Sequence, residues 1–299
     1  MGAFFSFFAS YVVPTYSGKL SPSKKQDWGY PESMIHYIAK NPSSVNVYQK
    51  IIQSCKYFFE KNPVLVASKL VACEENFEGD ICLNKTDECR KNKGKCCVKI
   101  DIAKDARKIW LLEGLQIGGG TKISISVLCS QLYRCEINCL EIWNKEIMFD
   151  DLKLLTSSAK KITLCRSSVK YNDGKPVMLD KIIESSSNGT EFFFEYNNDD
   201  VSMVNVSTLK NIMKLKNLKM LERFNLVNLP ELVSIEDISA FFKHAMVAFG
   251  FNENISENYK NQLDSLVDEI IESEVRNHII EYHGQDEEKL AVLFSQCYF

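Results

Sequence analysis

The chain has 299 residues, long enough to bury a large core, and its 45% hydrophobic content is that of a globular protein. A formal net charge of −3, with Lys and Arg scattered rather than massed, gives no bulk attraction to nucleic acid or to an anionic membrane, so neither is expected as a partner. Eleven cysteines would suit a secreted disulfide framework, but Cys129, Cys135, Cys139 and Cys165 lie among apolar residues, where a thiol behaves as a small hydrophobe; a reducing compartment, cytoplasmic or nuclear, is expected.

Residues 1–27 read as an apolar leader followed by a polar linker. Phe4, Phe5, Phe7, Phe8 and Tyr11 make Met1–Pro14 apolar, yet the stretch is too short to span a bilayer as a helix. It lacks the basic start of a secretory signal, so a flexible or surface-packed leader is the expectation. A signal peptide cleaved near Ala9-Ser10, and a lipid anchor on Gly2 with Ser6 in the loose acylation pattern, are the competing readings.

Residues 28–65 form a small helical module. Pro31 and Glu32 open a helix whose apolar stripe is Met34, Ile35, Tyr37 and Ile38, and Asn41-Pro42 ends it, because a residue before proline avoids the α region. Ser43 and Ser44 can cap a second helix, in which Val47, Tyr48, Ile51, Ile52, Cys55, Phe58 and Phe59 recur at helical spacing up to Asn62-Pro63.

Residues 66–100 form a Cys-rich connecting segment holding Cys73, Cys82, Cys89, Cys96 and Cys97. Structural zinc sites usually bring thiols in pairs two to four residues apart, whereas Cys82, Cys89 and Cys96 are spaced by seven. The expectation is an irregular loop or hairpin with inert thiols and no metal.

From residue 101 to 299 short apolar strands alternate with amphipathic helices. Strands are predicted over 108–112, 136–142, 161–165, 191–196, 223–229, 245–251 and 278–282. Helices are predicted over 123–132, 149–157, 178–185, 207–214, 235–243, 256–273 and 286–294. The strands recur roughly every 23 to 32 residues, a period that points to stacked β-α repeats with all helices on one side.

Candidate chemistry is sparse. Gly118-Gly119-Gly120-Thr121-Lys122 follows a strand and precedes a helix, so its amides could cradle a phosphate; but Lys122 follows Thr121 instead of preceding a hydroxyl residue, and Ile123 stands where a third dinucleotide-site glycine belongs. His36, His244, His278 and His283 fall in no triad or metalloprotease spacing. Asp150-Asp151 reads as a helix cap, and 197–200 as a turn. No catalytic residue, metal or cofactor is therefore assigned, and the chain is expected not to be an enzyme. Trp110 and Trp143 are the candidate contacts for a bound partner if they face away from the helices.

The string Tyr30-Pro31-Glu32, Met34-Ile35, Ile38, Asn41-Pro42, Val47, Ile51-Ile52, Cys55-Lys56 and Phe58-Phe59 resembles the F-box motif. The whole chain looks like the nematode-expanded group of F-box-like proteins with leucine-rich-repeat-like C-terminal halves. The resemblance implies an α/β fold: a leucine-rich-repeat-like β-α solenoid, or horseshoe, preceded by a small helical F-box-like module. It implies that Pro31, Met34, Ile35, Ile38, Ile51, Ile52 and Phe58 dock a Skp1-type adaptor, while the repeats hold an unknown target protein for an SCF-type cullin-RING ubiquitin ligase. The same apolar residues equally suit packing the helices onto the first repeat. Two other functions stay open: a protein-interaction scaffold outside any ligase, and a nucleotide- or phosphate-binding α/β enzyme.

Overall fold

The computed structural model describes residues 27–297, apart from 74, 76, 77, 84, 85, 92, 96, 198, 199, 243–245, 274 and 275. The leader lies outside the described residues, as do Cys96 and His244. The first elements among the described residues are three short helices, α1 (Glu32–Lys40), α2 (Val45–Ser54) and α3 (Lys56–Lys61). The last two replace the single helix expected over this stretch, because Cys55 is extended at φ −155° and ψ 126°.

There follow β1 (Val64–Ala72), β2 (Glu78–Cys82), α4 (Thr86–Lys91), β3 (Cys97–Asp101), β4 (Lys108–Ile117), α5 (Ile125–Gln131), β5 (Leu132–Cys135), β6 (Cys139–Trp143), β7 (Glu146–Met148), α6 (Phe149–Thr156), β8 (Lys161–Cys165) and β9 (Ser168–Lys170). The chain continues through α7 (Leu179–Ser185), β10 (Glu191–Glu195), α8 (Thr208–Met213), β11 (Arg223–Leu229), α9 (Ile235–Phe241), β12 (Met246–Phe251), α10 (Glu257–Glu272), β13 (His278–Glu281) and α11 (Glu287–Ser295). Side-chain caps fix several helix starts: Ser124, Ser234 and Ser256 each accept an amide proton three residues on, and Asp286 accepts from Glu288 and Lys289.

Among the described residues eleven strands make one sheet in the order β13-β12-β11-β10-β8-β6-β4-β1-β2-β3, with β5 also on β4; β7 and β9 pair separately. From β13 through β1 the pairing is parallel, while β1-β2 and β2-β3 are antiparallel. This finding corrects the expected architecture. The chain is an α/β protein built on one large mixed, open sheet with short helices, and it is not a leucine-rich-repeat-like horseshoe preceded by a helical module. The reason lies in β1, which went unpredicted. It leads straight out of the helical segment into the sheet, pairs parallel with β4, and carries an antiparallel edge made from the Cys-rich segment.

Burial follows from how many faces are covered. In β6 and β10 one face packs under helices and the strands alternate: Leu140 and Ile142, then Phe192 and Phe194, are buried while their neighbours are half-exposed. These residues join Leu152, Leu179, Ile238 and Leu263 of the helices in the main core. In β1 and β4 both faces are covered. Leu65, Ile109 and Leu111 face the main core, while Val64, Val66 and Trp110 meet Tyr48 of α2 on the other side. A strand buried on both faces reads as an unbroken apolar run, which is what Val64–Ala67 is. A register shift between Ala67 and Lys69 then turns Leu70 and Ala72 toward the core.

Candidate interaction surfaces

The helices α1–α3 carry two sorts of apolar residue. Ile35, Ala39 and Phe58 are buried together, with Trp28 edge-on to Phe58 at 5.5 Å and Ile51 and Ile52 partly buried against them. Tyr48 ties the unit to the sheet. Its hydroxyl oxygen accepts from the Val64 amide at 2.9 Å, and its proton lies between the carbonyls of Asn62 and Val64 at 2.9 and 3.0 Å. Burial pushes this phenol up to about 12. Tyr133 adds a bond from its hydroxyl to the Lys40 carbonyl at 2.7 Å.

The second sort faces outward. Met34 is 49% exposed, Tyr37 67% and Ile38 41%, and with Ser33 they line a shallow depression of about 200 Å³. Pro31 is exposed beside them. Of the seven expected docking residues, then, Pro31, Met34 and Ile38 are presented to solvent, and Ile51 and Ile52 half so. Ile35 and Phe58 turn inward, which corrects their expected role: they pin the helices to one another.

Trp110 is likewise corrected. It is fully buried, with Tyr48 at 6.3 Å, Tyr133 at 5.5 Å and the Arg134 guanidinium 4.6 Å over its ring. It cannot meet a partner and instead cements α2 onto β4. Trp143 does lie on the sheet face away from the main core, half-exposed, beside Cys165 of β8.

That open face is laid out by register. One row reads Glu141, Thr163, Phe193, Asn225, Ala248 and Ile279 across β6 to β13. A second runs Cys139, Lys161, Glu191, Arg223 and Met246, with Lys161 and Glu191 paired at 2.7 Å. Toward β13 the face deepens into a groove of about 670 Å³, lined by Phe193, Arg223, Met246 and Ile279 of the strands and by Leu290 and Phe294 of α11. The mixture of half-exposed apolar side chains and polar groups suits contact with a polypeptide segment. Burial pushes the Cys139 and Cys165 thiols of this face up to about 11, so both are poor nucleophiles at neutral pH.

The glycine triplet serves packing. A Cβ on Gly119 would sit 2.5 Å from Asn144 Cβ, and one on Gly120 would sit 2.7 Å from the Cys73 carbonyl oxygen. Asn144 and Cys73 thus approach these two glycines more closely than a side chain would allow, and Lys122 is exposed. A polar cleft of about 310 Å³ lies outside the carboxyl ends of β6, β8 and β10, lined by Asn144, Lys145, Arg166, Ser167, Tyr196 and Asp200, but not by the glycines. Lys145 donates to the Thr121 carbonyl, and Arg166 is paired with Glu195 at 2.6 Å. Asp150 and Asp151 sit in the first turn of α6 rather than at its cap, where Asp150 pairs with Lys153 at 2.6 Å and Asp151 accepts from Ser126 at 2.5 Å.

Sequence spacing missed one constellation: Cys82, Cys89 and Cys97 bring their sulfur atoms within 4.8 Å of one another. The signal was present in the β-pairing rather than in the spacing, since Cys82 stands directly opposite Cys97. Among the described residues no helix is long and apolar enough to cross a membrane. No family model matches the chain, and no curated protein shows significant similarity to it.

Proposed function

We propose that the chain is a substrate-receptor subunit of an SCF-type cullin-RING ubiquitin ligase, working in the cytoplasm or nucleus. In this reading α1–α3 dock a Skp1-type adaptor and the open sheet face holds a target protein. The observation that carries it is the division of apolar residues on α1. Ile35 and Ala39 turn inward against Phe58, yet Met34, Tyr37 and Ile38 stay exposed on one contiguous patch and join no apolar cluster among the described residues. Such a patch marks a partner site, and here it lies on residues that resemble an adaptor-docking motif. The chain would make and break no bonds itself; it would act by raising the effective concentration of target lysines near the ligase.

The groove beside Phe193, Met246 and Phe294 supports a second reading, a protein-interaction scaffold outside any ligase, because it offers a contact surface without reference to α1. Co-purification of the full chain with a Skp1-type adaptor separates the two. The ligase reading expects a stable complex that Tyr37→Asp disrupts while the thermal melting temperature holds. No complex with the wild-type chain, or an unaffected one with Tyr37→Asp, sinks it.

A further inference from the structure

We propose that Cys82, Cys89 and Cys97 form a zinc site that fastens the β2-α4-β3 insert at the edge of the sheet. The sulfurs of Cys82 and Cys89 lie 3.7 Å apart, those of Cys89 and Cys97 3.4 Å, and those of Cys82 and Cys97 2.7 Å. Zinc–thiolate bonds of about 2.3 Å at tetrahedral angles set sulfur–sulfur edges of about 3.8 Å. Two of the three edges are near that value, and the third needs to open by roughly 1 Å.

The backbone arranges this convergence without the metal. Antiparallel pairing sets Cys82 opposite Cys97. After α4 the chain reverses through Lys93 and Gly94, both left-handed at φ 51° and 75°. The Gly94 amide then donates to the Cys89 carbonyl at 3.0 Å, and the Cys97 amide to the Gly94 carbonyl at 2.9 Å. One turn thereby fixes the two cysteines that flank it.

The insert also needs such a fastening. Between residues 84 and 96 there is no aliphatic or aromatic side chain, so α4 has nothing but Cys89 to bury against the strands. A six-residue helix does not hold itself in water. Small segments without a core are commonly held by a metal or by disulfides. Two features favour zinc over a Cys82–Cys97 disulfide. A disulfide would leave Cys89, and so α4, unfastened. The segment 86–99 also carries Arg90, Lys91, Lys93, Lys95 and Lys99 against Asp87 and Glu88, a basic surrounding that favours thiolates. Three thiolates leave the fourth tetrahedral place to water or another donor, and each gives up its proton to solution on binding.

The test uses the full chain purified in reducing buffer without chelator. Elemental analysis is expected to find about one zinc per chain, and replacement by Co²⁺ to give the near-ultraviolet thiolate-to-cobalt band of a tetrahedral site. Cys89→Ala should lower zinc retention at least tenfold, Cys89→His should restore it with an altered cobalt spectrum, and Cys73→Ser should leave it unchanged. Because the metal is read directly, a misfolded variant cannot imitate the wild-type result. A wild-type chain that retains no zinc and gives no cobalt band overturns the proposal, as does peptide mapping that finds Cys82 and Cys97 joined in a disulfide.

Discussion

Tyr48→Phe removes one oxygen and nothing else, at the point where the helices meet the sheet. The hydroxyl is the partner of the Val64 amide, which begins β1 and has Val64 only 3% exposed around it. Phenylalanine keeps the ring against Trp110 but strands that amide, and an unsatisfied buried donor costs about 1–3 kcal/mol. The Asn62 and Val64 carbonyls lose their shared donor as well, which places the expected loss toward about 3 kcal/mol. Tyr133→Phe is the control. It deletes a hydroxyl bond of 2.7 Å to Lys40 that is open to water, and its expected cost is within about 0.5 kcal/mol. Urea unfolding followed by tryptophan fluorescence measures both, because Trp110 reports this junction. Equal losses for the two variants, or a Tyr48→Phe chain as stable as wild type, would refute the idea that one buried hydroxyl joins the helical unit to the sheet.

Three further outcomes are expected. Met34→Ala with Ile38→Ala should weaken adaptor binding by roughly 10- to 100-fold, since each side chain has about half of the 1.5–3 kcal/mol of full burial still to gain, whereas Ile35→Ala should instead cost about 2–5 kcal/mol of fold stability; calorimetric titration beside thermal melts distinguishes them. Gly120→Ala drives a methyl group against the Cys73 carbonyl and should destabilise by about 1–3 kcal/mol in chemical denaturation; a neutral result would mean the glycine triplet is not there for packing. Burial lowers the pKa of His278, which is stacked on Phe242 at 4.8 Å, below its ordinary 6.5. The unfolded chain therefore takes the proton first, so this contribution is complete above about pH 6.5 and is lost as the pH falls below it. His278→Phe should flatten that part of the stability–pH curve, and an unchanged slope would count against it.

The patterned part of the chain was most legible in β6, β8 and β10, where helices cover one face and burial alternates along the strand. The apolar runs of Lys161–Cys165 and Glu191–Glu195 announced the strands but not their facing, and the helices that Ser124, Ser234 and Ser256 cap start within about two residues of the predicted positions. The helical stripe of Met34, Ile35, Tyr37 and Ile38 was equally visible, but not which of the four would be buried. That depends on where Phe58 and Trp28 arrive from further along or back in the chain.

By itself the sequence determined the local conformation over most of the chain, the one-sided amphipathic character of its elements, and the apolar content of the first helices. Only tertiary structure decided that β1 enters the sheet, that Trp110 is sealed on both sides, that the glycines are crowded by Cys73 and Asn144, and that three widely spaced cysteines meet. Local preferences span a few residues, because they arise from a side chain's interaction with its own and adjacent turns. The pairing of Val64 with Lys108, or of Cys82 with Cys97, is chosen by burial and hydrogen bonding between segments far apart in sequence, and no short window records it.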